Sequence, residues 1–345
     1  MPVRFGIVGC GKVAERLALP QLNGCAQARV TALVDTKREA ARRLAEQFGI
    51  DRRLVWTDWR RMLREAEVDA VAVCVPNFLH YEVTLGCCRA KKHVMVEKPI
   101  ARTLQEADGM IDAARRAGVR LMVEQTQRFD PAHEVAKALL DSGRLGRIHT
   151  LRGRLGHAGP EYWSRTSPWY TRRAQSGGGA LMDLGIHLVD LLLWLSGKSV
   201  KRLCASAATI EKRVPVEDTA SLLMEFTDGT LGSCEVSWTT RVYEVMTWFQ
   251  GERGKLTTAN DRAHPVSVQW ARTTGDPNKP RGAEVYPEVP RASRWGGAYA
   301  QFVDSVLHAR PPGVSGEDGR RALEVVTAAY RSIQERCWVE LPLAR

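Results

Sequence analysis

The sequence predicts an α/β protein in two parts, the first on a parallel sheet flanked by helices, the second on an antiparallel or mixed sheet. Three observations point there. Over residues 1–124, uninterrupted apolar runs take turns with amphipathic stretches. A Gly-x-Gly-x-x-Ala turn sits between the first strand and the first helix. Beyond Lys198, β-like runs follow one another with only turns between them.

In the first part the strands are Val3–Val8, Val30–Val34, Leu54–Trp56, Ala70–Val75, His93–Val96 and Arg120–Val123. Amphipathic stretches such as Lys37–Phe48 and Leu104–Ala117 read as the helices that cover them. Strands apolar on both faces, each followed by a helix, imply a parallel sheet buried on both sides. After Gln125 the pattern changes. A helix over Pro131–Ser142 ends at Gly143, a strand follows over Ile148–Gly156, and an arginine-rich loop leads into an apolar helix. Then come Val200–Ile210, Thr219–Phe226, Leu231–Trp238, Val242–Gln250, Lys255–Ala259 and Val266–Ala271. Direct strand-to-strand connection requires antiparallel or mixed pairing. Gly275–Pro290 reads as a loop because of its proline and glycine content. Helices over Gly296–Ala309 and Asp318–Arg336 and a short strand over Trp338–Leu341 close the chain.

At 345 residues the chain exceeds one ordinary core and suits two domains. Runs such as Leu191–Leu195 are too short to cross a membrane, and Met1–Gly9 enters a strand with no basic-then-apolar leader. The expectation is a cytoplasmic protein without a membrane partner. Eight cysteines, none in a Cys-x-x-Cys pair, read as reduced thiols rather than a zinc site. The net charge of +11 comes without a clustered basic arm, which argues against nucleic acid as a partner.

Gly9-Cys10-Gly11-Lys12-Val13-Ala14 carries the phosphate-cradling chemistry. Gly9 permits the tight turn, Gly11 lets a pyrophosphate approach the backbone, and Ala14 lets the helix pack on the sheet. Free N–H groups at that helix start would meet the phosphates. Asp35 ends the second strand, where a carboxylate accepts adenosine ribose hydroxyls and repels a 2′-phosphate, favouring NAD over NADP. Lys37 and Arg38 beside it keep NADP open, and a helix-capping role for Asp35 is the other reading. Pro76-Asn77 follows the fourth strand, where ligands bind in such sheets; Asn77 reads equally as a helix start. Glu97-Lys98-Pro99 follows the fifth strand. A lysine there can hold a substrate hydroxyl and favour its deprotonation, the alternative being a surface ion pair.

Gly177-Gly178-Gly179 opens an apolar helix that carries Asp183, His187 and Asp190 at i, i+4 and i+7, one face of a regular helix. Buried carboxylates and imidazoles need partners or a task, and proton transfer is the natural task for histidine. Either Asp183 or Asp190 can orient the imidazole. A metal reading lacks a third ligand of convincing spacing.

In these residues the chain resembles the glucose–fructose oxidoreductase / inositol 2-dehydrogenase / rhizopine-catabolism family. The matching features are Gly9–Ala14, Pro76-Asn77-x-x-His80, Glu97-Lys98-Pro99, Arg128-Phe129-x-Pro131 and Gly177-Gly178-Gly179-x-x-x-Asp183-x-x-x-His187. The resemblance implies a Rossmann domain over 1–124 and a C-terminal α/β domain over 125–345 with a large, mainly antiparallel sheet that mediates homo-oligomerisation as a dimer or tetramer. It implies a nicotinamide cofactor and hydride transfer on a carbohydrate or cyclitol. Lys98, His187 and Asp183 are then the catalytic group. Cofactor contacts fall to Gly9, Cys10, Gly11, Lys12, Val13, Asp35, Thr36, Pro76, Asn77, His80, Glu97 and Lys98, with Glu97 near the nicotinamide ribose. Substrate contacts fall to Lys98, Arg128, Asp183 and His187, with no metal. Two other functions stay open: a redox-assisted glycosidase or lyase that regenerates NAD each turnover, and a nucleotide-binding regulator. Intact Lys98, Asp183 and His187 argue against the regulator. Within Arg152–Arg173, Arg152, Arg154, Arg165, Arg172 and Arg173 lie among Tyr162, Trp163, Trp169 and Tyr170. Arginines suit carboxylates and phosphates, so a sugar acid or nucleotide sugar is one expectation; cofactor contact or subunit packing is the other.

Overall fold

The computed structural model describes residues 1–162, 168–271, 281–291 and 296–344. The chain divides into two compact units. The first takes Met1–Thr126, Ala174–Gly177 and Trp295–Leu323; the second takes Gln127–Arg173, Gly178–Arg294 and Glu324–Arg345. The late segment Trp295–Leu323 groups with the first unit. Its helix Ala298–Leu307 lays Tyr299 and Phe302 edge-on against Phe5, at ring separations of 6.3 and 6.2 Å. Apolar burial of three aromatic rings holds that segment to the first unit despite its distance along the chain.

In the first unit six parallel strands, β1 Val3–Val8, β2 Ala28–Val34, β3 Val55–Trp56, β4 Ala70–Val73, β5 His93–Glu97 and β6 Leu121–Glu124, line up in the order β3-β2-β1-β4-β5-β6. β4 is fully buried, as its unbroken Ala-Val-Ala-Val run requires. The helix Leu104–Ala117 starts at Thr103, whose side chain accepts the Glu106 N–H, and stops at Gly118 with a left-handed φ of 67°. The order of strands reverses between β1 and β4, the place where such sheets bind ligands.

Among the described residues of the second unit, nine strands form a mixed sheet: β7 Ile148–Gly156, β8 Val200–Ala208, β9 Thr219–Phe226, β10 Leu231–Ser237, β11 Glu244–Gly251, β12 Gly254–Thr258, β13 Val266–Ala271, β14 Arg281–Val285 and β15 Val339–Glu340. Their order is β14-β13-β12-β11-β7-β10-β9-β8-β15. Every pair is antiparallel except β7 with β10. β14 corrects the expected Gly275–Pro290 loop: residues 281–285 pair with β13. Local turn-forming composition is overridden there by an available strand edge. The apolar helix Ile186–Ser196 packs on β7 and β10. By length and composition Arg173–Ser196 is the stretch among the described residues able to cross a membrane, yet 78% of its most apolar window is buried in the protein. All eight cysteines are free thiols.

Candidate active site

In the first unit the glycine loop forms as its spacing requires. Gly9 has φ +97°, and a Cβ there would lie 2.4 Å from the Cys74 carbonyl oxygen, so β1 and β4 can approach only through glycine. A Cβ on Gly11 would meet nothing within 4 Å, leaving the outer side of the loop open to a ligand's close approach. Ala14 is fully buried where the helix meets the sheet. That helix carries a π turn over Ala14–Ala18, which the apolar spacing does not announce.

Asp35 reaches back to the loop. Its Oδ2 accepts the Cys10 N–H at 2.9 Å and its Oδ1 the Lys37 N–H at 2.8 Å. It does not cap the following helix, whose cap residue is Lys37 with no side-chain bond. The Cys10 N–H is thus engaged within the protein, and burial pushes the Cys10 thiol up to about 12. Lys12 pairs with Glu15, which also meets Arg43, and Thr36 is exposed beside Asp35.

Pro76 precedes the helix Asn77–Arg89, and Asn77 does not cap it: its buried amide donates to the Ser176 carbonyl at 2.7 Å. His80, expected at the cofactor, is fully buried, with Nδ1 2.8 Å from the Pro99 carbonyl and Nε2 2.9 Å from that of Val75. Its ring ties the turn after β4 to the turn after β5, and burial lowers its pKa. The ring thus lies within hydrogen-bond distance of a carbonyl in each of the two turns that carry Pro76 and Lys98. Glu97 is the last residue of β5, buried; Lys98 follows it, half-buried, and joins Pro99 through a cis bond.

In the second unit the glycine run is held by a group the sequence reading missed. Glu217 Oε1 accepts the N–H of Gly179 at 2.8 Å and of Leu181 at 3.1 Å, and the Tyr330 hydroxyl at 2.6 Å. A Cβ on Gly178 would lie 1.8 Å from the Tyr330 hydroxyl, and one on Gly179 2.0 Å from the Glu217 carbonyl oxygen. A carboxylate at a helix start satisfies N–H groups that have no intrahelical partner.

Asp183 and His187 do not share a regular helix turn. A π turn spans Leu181–Gly185 and the α-helix resumes at Ile186. Both residues are half-buried on an otherwise buried segment. Asp183 Oδ2 accepts the Trp238 indole N–H at 3.0 Å and lies 3.6 Å from His157 Nε2. His157 Nδ1 accepts the Gly159 N–H at 2.9 Å, which places the neutral ring's proton on Nε2, facing Asp183. Neither His157 nor Trp238 stands in a motif with Asp183; only the pairing of the strands that end at Gly156 and Ser237 brings them there.

Asp190 is decided differently. Its two oxygens take Arg128 Nε at 2.8 Å and Nη2 at 2.6 Å, with side-chain exposures of 1% and 7%. The planar fork expected to hold substrate engages an internal carboxylate through two of its nitrogens. The arginine-rich loop is similarly partitioned. Arg154 pairs with Glu235 and Glu244, Arg173 lies 5.3 Å over the Tyr330 ring, and Trp169 stacks on Tyr170 at 3.8 Å. Trp163 and Arg165 lie outside the described residues.

Residues 3–125 match the model of an oxidoreductase family with an NAD-binding Rossmann fold, and residues 133–257 match the GFO/IDH/MocA C-terminal domain. The chain belongs to the GFO/IDH/MocA oxidoreductase family. Myo-inositol 2-dehydrogenase of Thermotoga maritima is 27% identical over 350 residues, 98% of this chain and 98% of the relative. Among solved structures, aldose-aldose oxidoreductase from Caulobacter crescentus, complexed with glycerol, superposes with a TM-score of 0.86 at 27% identity, covering 99% of this chain and all of the other. The WlbA dehydrogenase of Bordetella pertussis, in complex with NADH and UDP-GlcNAcA, gives 0.82 at 26% identity over the full length of both. The fold of this GFO/IDH/MocA member is accordingly an NAD-binding Rossmann unit followed by a mixed, mostly antiparallel sheet.

Proposed function

We propose that this family member moves hydride between nicotinamide and a secondary alcohol or ketone of a sugar, cyclitol or sugar derivative. One observation carries the reading: on a buried apolar segment, Asp183 and His187 keep partial exposure, and Asp183 is pinned by Trp238 and His157. Polar groups held so at a π turn are equipped for chemistry rather than packing. The relatives named for inositol and aldose oxidoreduction support a polyol substrate.

The glycine loop fits the cofactor, since Gly11 leaves its outer side open. Residues 9–13 would hold the pyrophosphate, Asp35 the adenosine ribose and Glu97 the nicotinamide ribose. Bound NAD supplies the hydride acceptor at nicotinamide C4. His187 takes the hydroxyl proton as hydride leaves the carbinol carbon, and returns it in reduction. Lys98 holds a substrate hydroxyl and favours its deprotonation. Asp183 supports His187 or binds a neighbouring hydroxyl.

An anionic substrate is the second reading. The complex of the Bordetella relative with UDP-GlcNAcA favours it, while the engagement of Arg154 and Arg173 within the protein leaves fewer charges to serve it. Homo-oligomerisation through the second unit's sheet and a cytoplasmic location complete the proposal. The test is NADH formation across a panel of neutral and acidic sugars and cyclitols. Net NADH with any member supports the dehydrogenase; bond cleavage without net NADH would point to the lyase.

A further inference from the structure

β5 and β6 end side by side, and their register sets Glu97 against Glu124. Both carboxyl groups turn inward, Glu124 at 1% exposure and Glu97 at 9%. Parallel register and shared burial set the two carboxyl groups side by side at the strand ends. Two ionised carboxylates offer only acceptors, so a bond between them needs a proton. The neighbours fix where that proton sits. Tyr299, fully buried on the helix Ala298–Leu307, donates its hydroxyl to Glu124 Oε2 at 3.2 Å. Glu124 Oε1 is shielded from solvent and, among the described residues, receives no protein donor. Cys74, just past β4, is a neighbouring thiol that burial keeps protonated. Lys98 follows Glu97 on its own strand end.

We propose that Glu97 and Glu124 share one proton, carried on Glu124 Oε1 and donated to Glu97, so that the pair presents a single negative charge at the end of β5. Burial, followed by the neighbouring Glu97 charge, pushes Glu124 well above the usual carboxylate range, and burial raises the Tyr299 hydroxyl and the Cys74 thiol, so both stay protonated donors. Glu124 is a positioning residue that acts through Glu97. Resting on the placement of Glu97 at the nicotinamide ribose proposed above, the shared proton leaves Glu97 ionised and aimed as a hydroxyl acceptor. A second charge at Glu124 would repel it.

The sign of the pH effect follows. A carboxyl group whose folded pKa is raised contributes stability that is complete below its unfolded value and is lost as pH rises through the folded one. Glutamine at 124 keeps a donor and cannot titrate. Side-chain carboxyl carbon NMR of the ligand-free protein, wild type and Glu124→Gln, is run between about pH 5 and about pH 9 together with urea unfolding. The resonance missing from Glu124→Gln is expected to remain protonated at neutral pH in the wild type, and the variant's stability should fall less with rising pH. An ordinary carboxylate midpoint for that resonance, or an unchanged pH slope, overturns the shared proton. NADH titration separates the two readings. Glu124→Gln should bind within about threefold of wild type, and Glu124→Leu and Glu97→Gln about tenfold more weakly, the loss of one charged hydrogen bond. If the NMR and the slope hold while both weak binders match wild type, the shared proton stands and the ribose placement of Glu97 falls.

Discussion

Asp190 directs both its oxygens at Arg128, and that pair shows how partners decide a residue's role. An ion pair at 1% and 7% side-chain exposure contributes little when intact, because desolvation offsets the attraction, yet removing one member leaves a buried charge alone. Asp190→Ala should therefore cost about 3–5 kcal/mol in urea unfolding, and Arg128→Met with Asp190→Leu should recover most of it. An Asp190→Ala loss below about 1 kcal/mol would contradict a desolvated pair. The catalytic assignments make a different demand. His187→Ala should lower kcat by about 10²–10⁴ and Lys98→Met by about 10²–10³, each with the NADH dissociation constant within about threefold of wild type. Stopped-flow turnover beside NADH fluorescence titration checks both. Asp35 joins loop and cofactor roles: both its oxygens already take backbone N–H groups. Asp35→Ala should weaken NAD more than NADP and also lower stability by about 1–2 kcal/mol. An unchanged NAD-to-NADP affinity ratio would remove the ribose contact.

Among elements, strands and helices were legible wherever period and punctuation agreed. Thr219–Phe226 alternates buried and exposed positions as a one-sided strand should, and Leu104–Ala117 lies between a threonine cap and a glycine stop. Two features escaped. β14 hides in a proline- and glycine-rich stretch whose strand character comes from pairing with β13. The π turn at Leu181–Gly185 adds a residue to one turn, which a search for 3.6-residue period reads as ordinary helix. The glycine run before it was legible as a motif, but its reason was not, since Tyr330 and Glu217 lie far along the chain. Gly178→Ala should drive a Cβ into the Tyr330 hydroxyl and cost about 1–3 kcal/mol. Thermal unfolding measures it, and shortening Tyr330 to leucine in the same chain should return part of the loss.

For the whole molecule, the second unit's sheet leaves Leu223 on β9 and Leu231 on β10 exposed by 55% and 57%. Apolar residues on an outward sheet face suit contact with another copy. If the family member assembles through this sheet, Leu223→Asp with Leu231→Asp should lower the mass found by size-exclusion chromatography with light scattering. An unchanged oligomer would move the interface elsewhere.

The sequence by itself determined the α/β order, the glycine loop, the Glu97-Lys98-Pro99 turn and the polar positions of the apolar helix, because each is written in local spacing. Only the tertiary structure decided which groups answer one another. Asp190 belongs to Arg128, Asp183 to Trp238 and His157, His80 to two carbonyls, and Glu97 to Glu124. The physical reason is range. Periodicity and breakers act over a turn or a strand, whereas a buried polar group takes whichever partner the fold brings within hydrogen-bond reach, however distant in the chain.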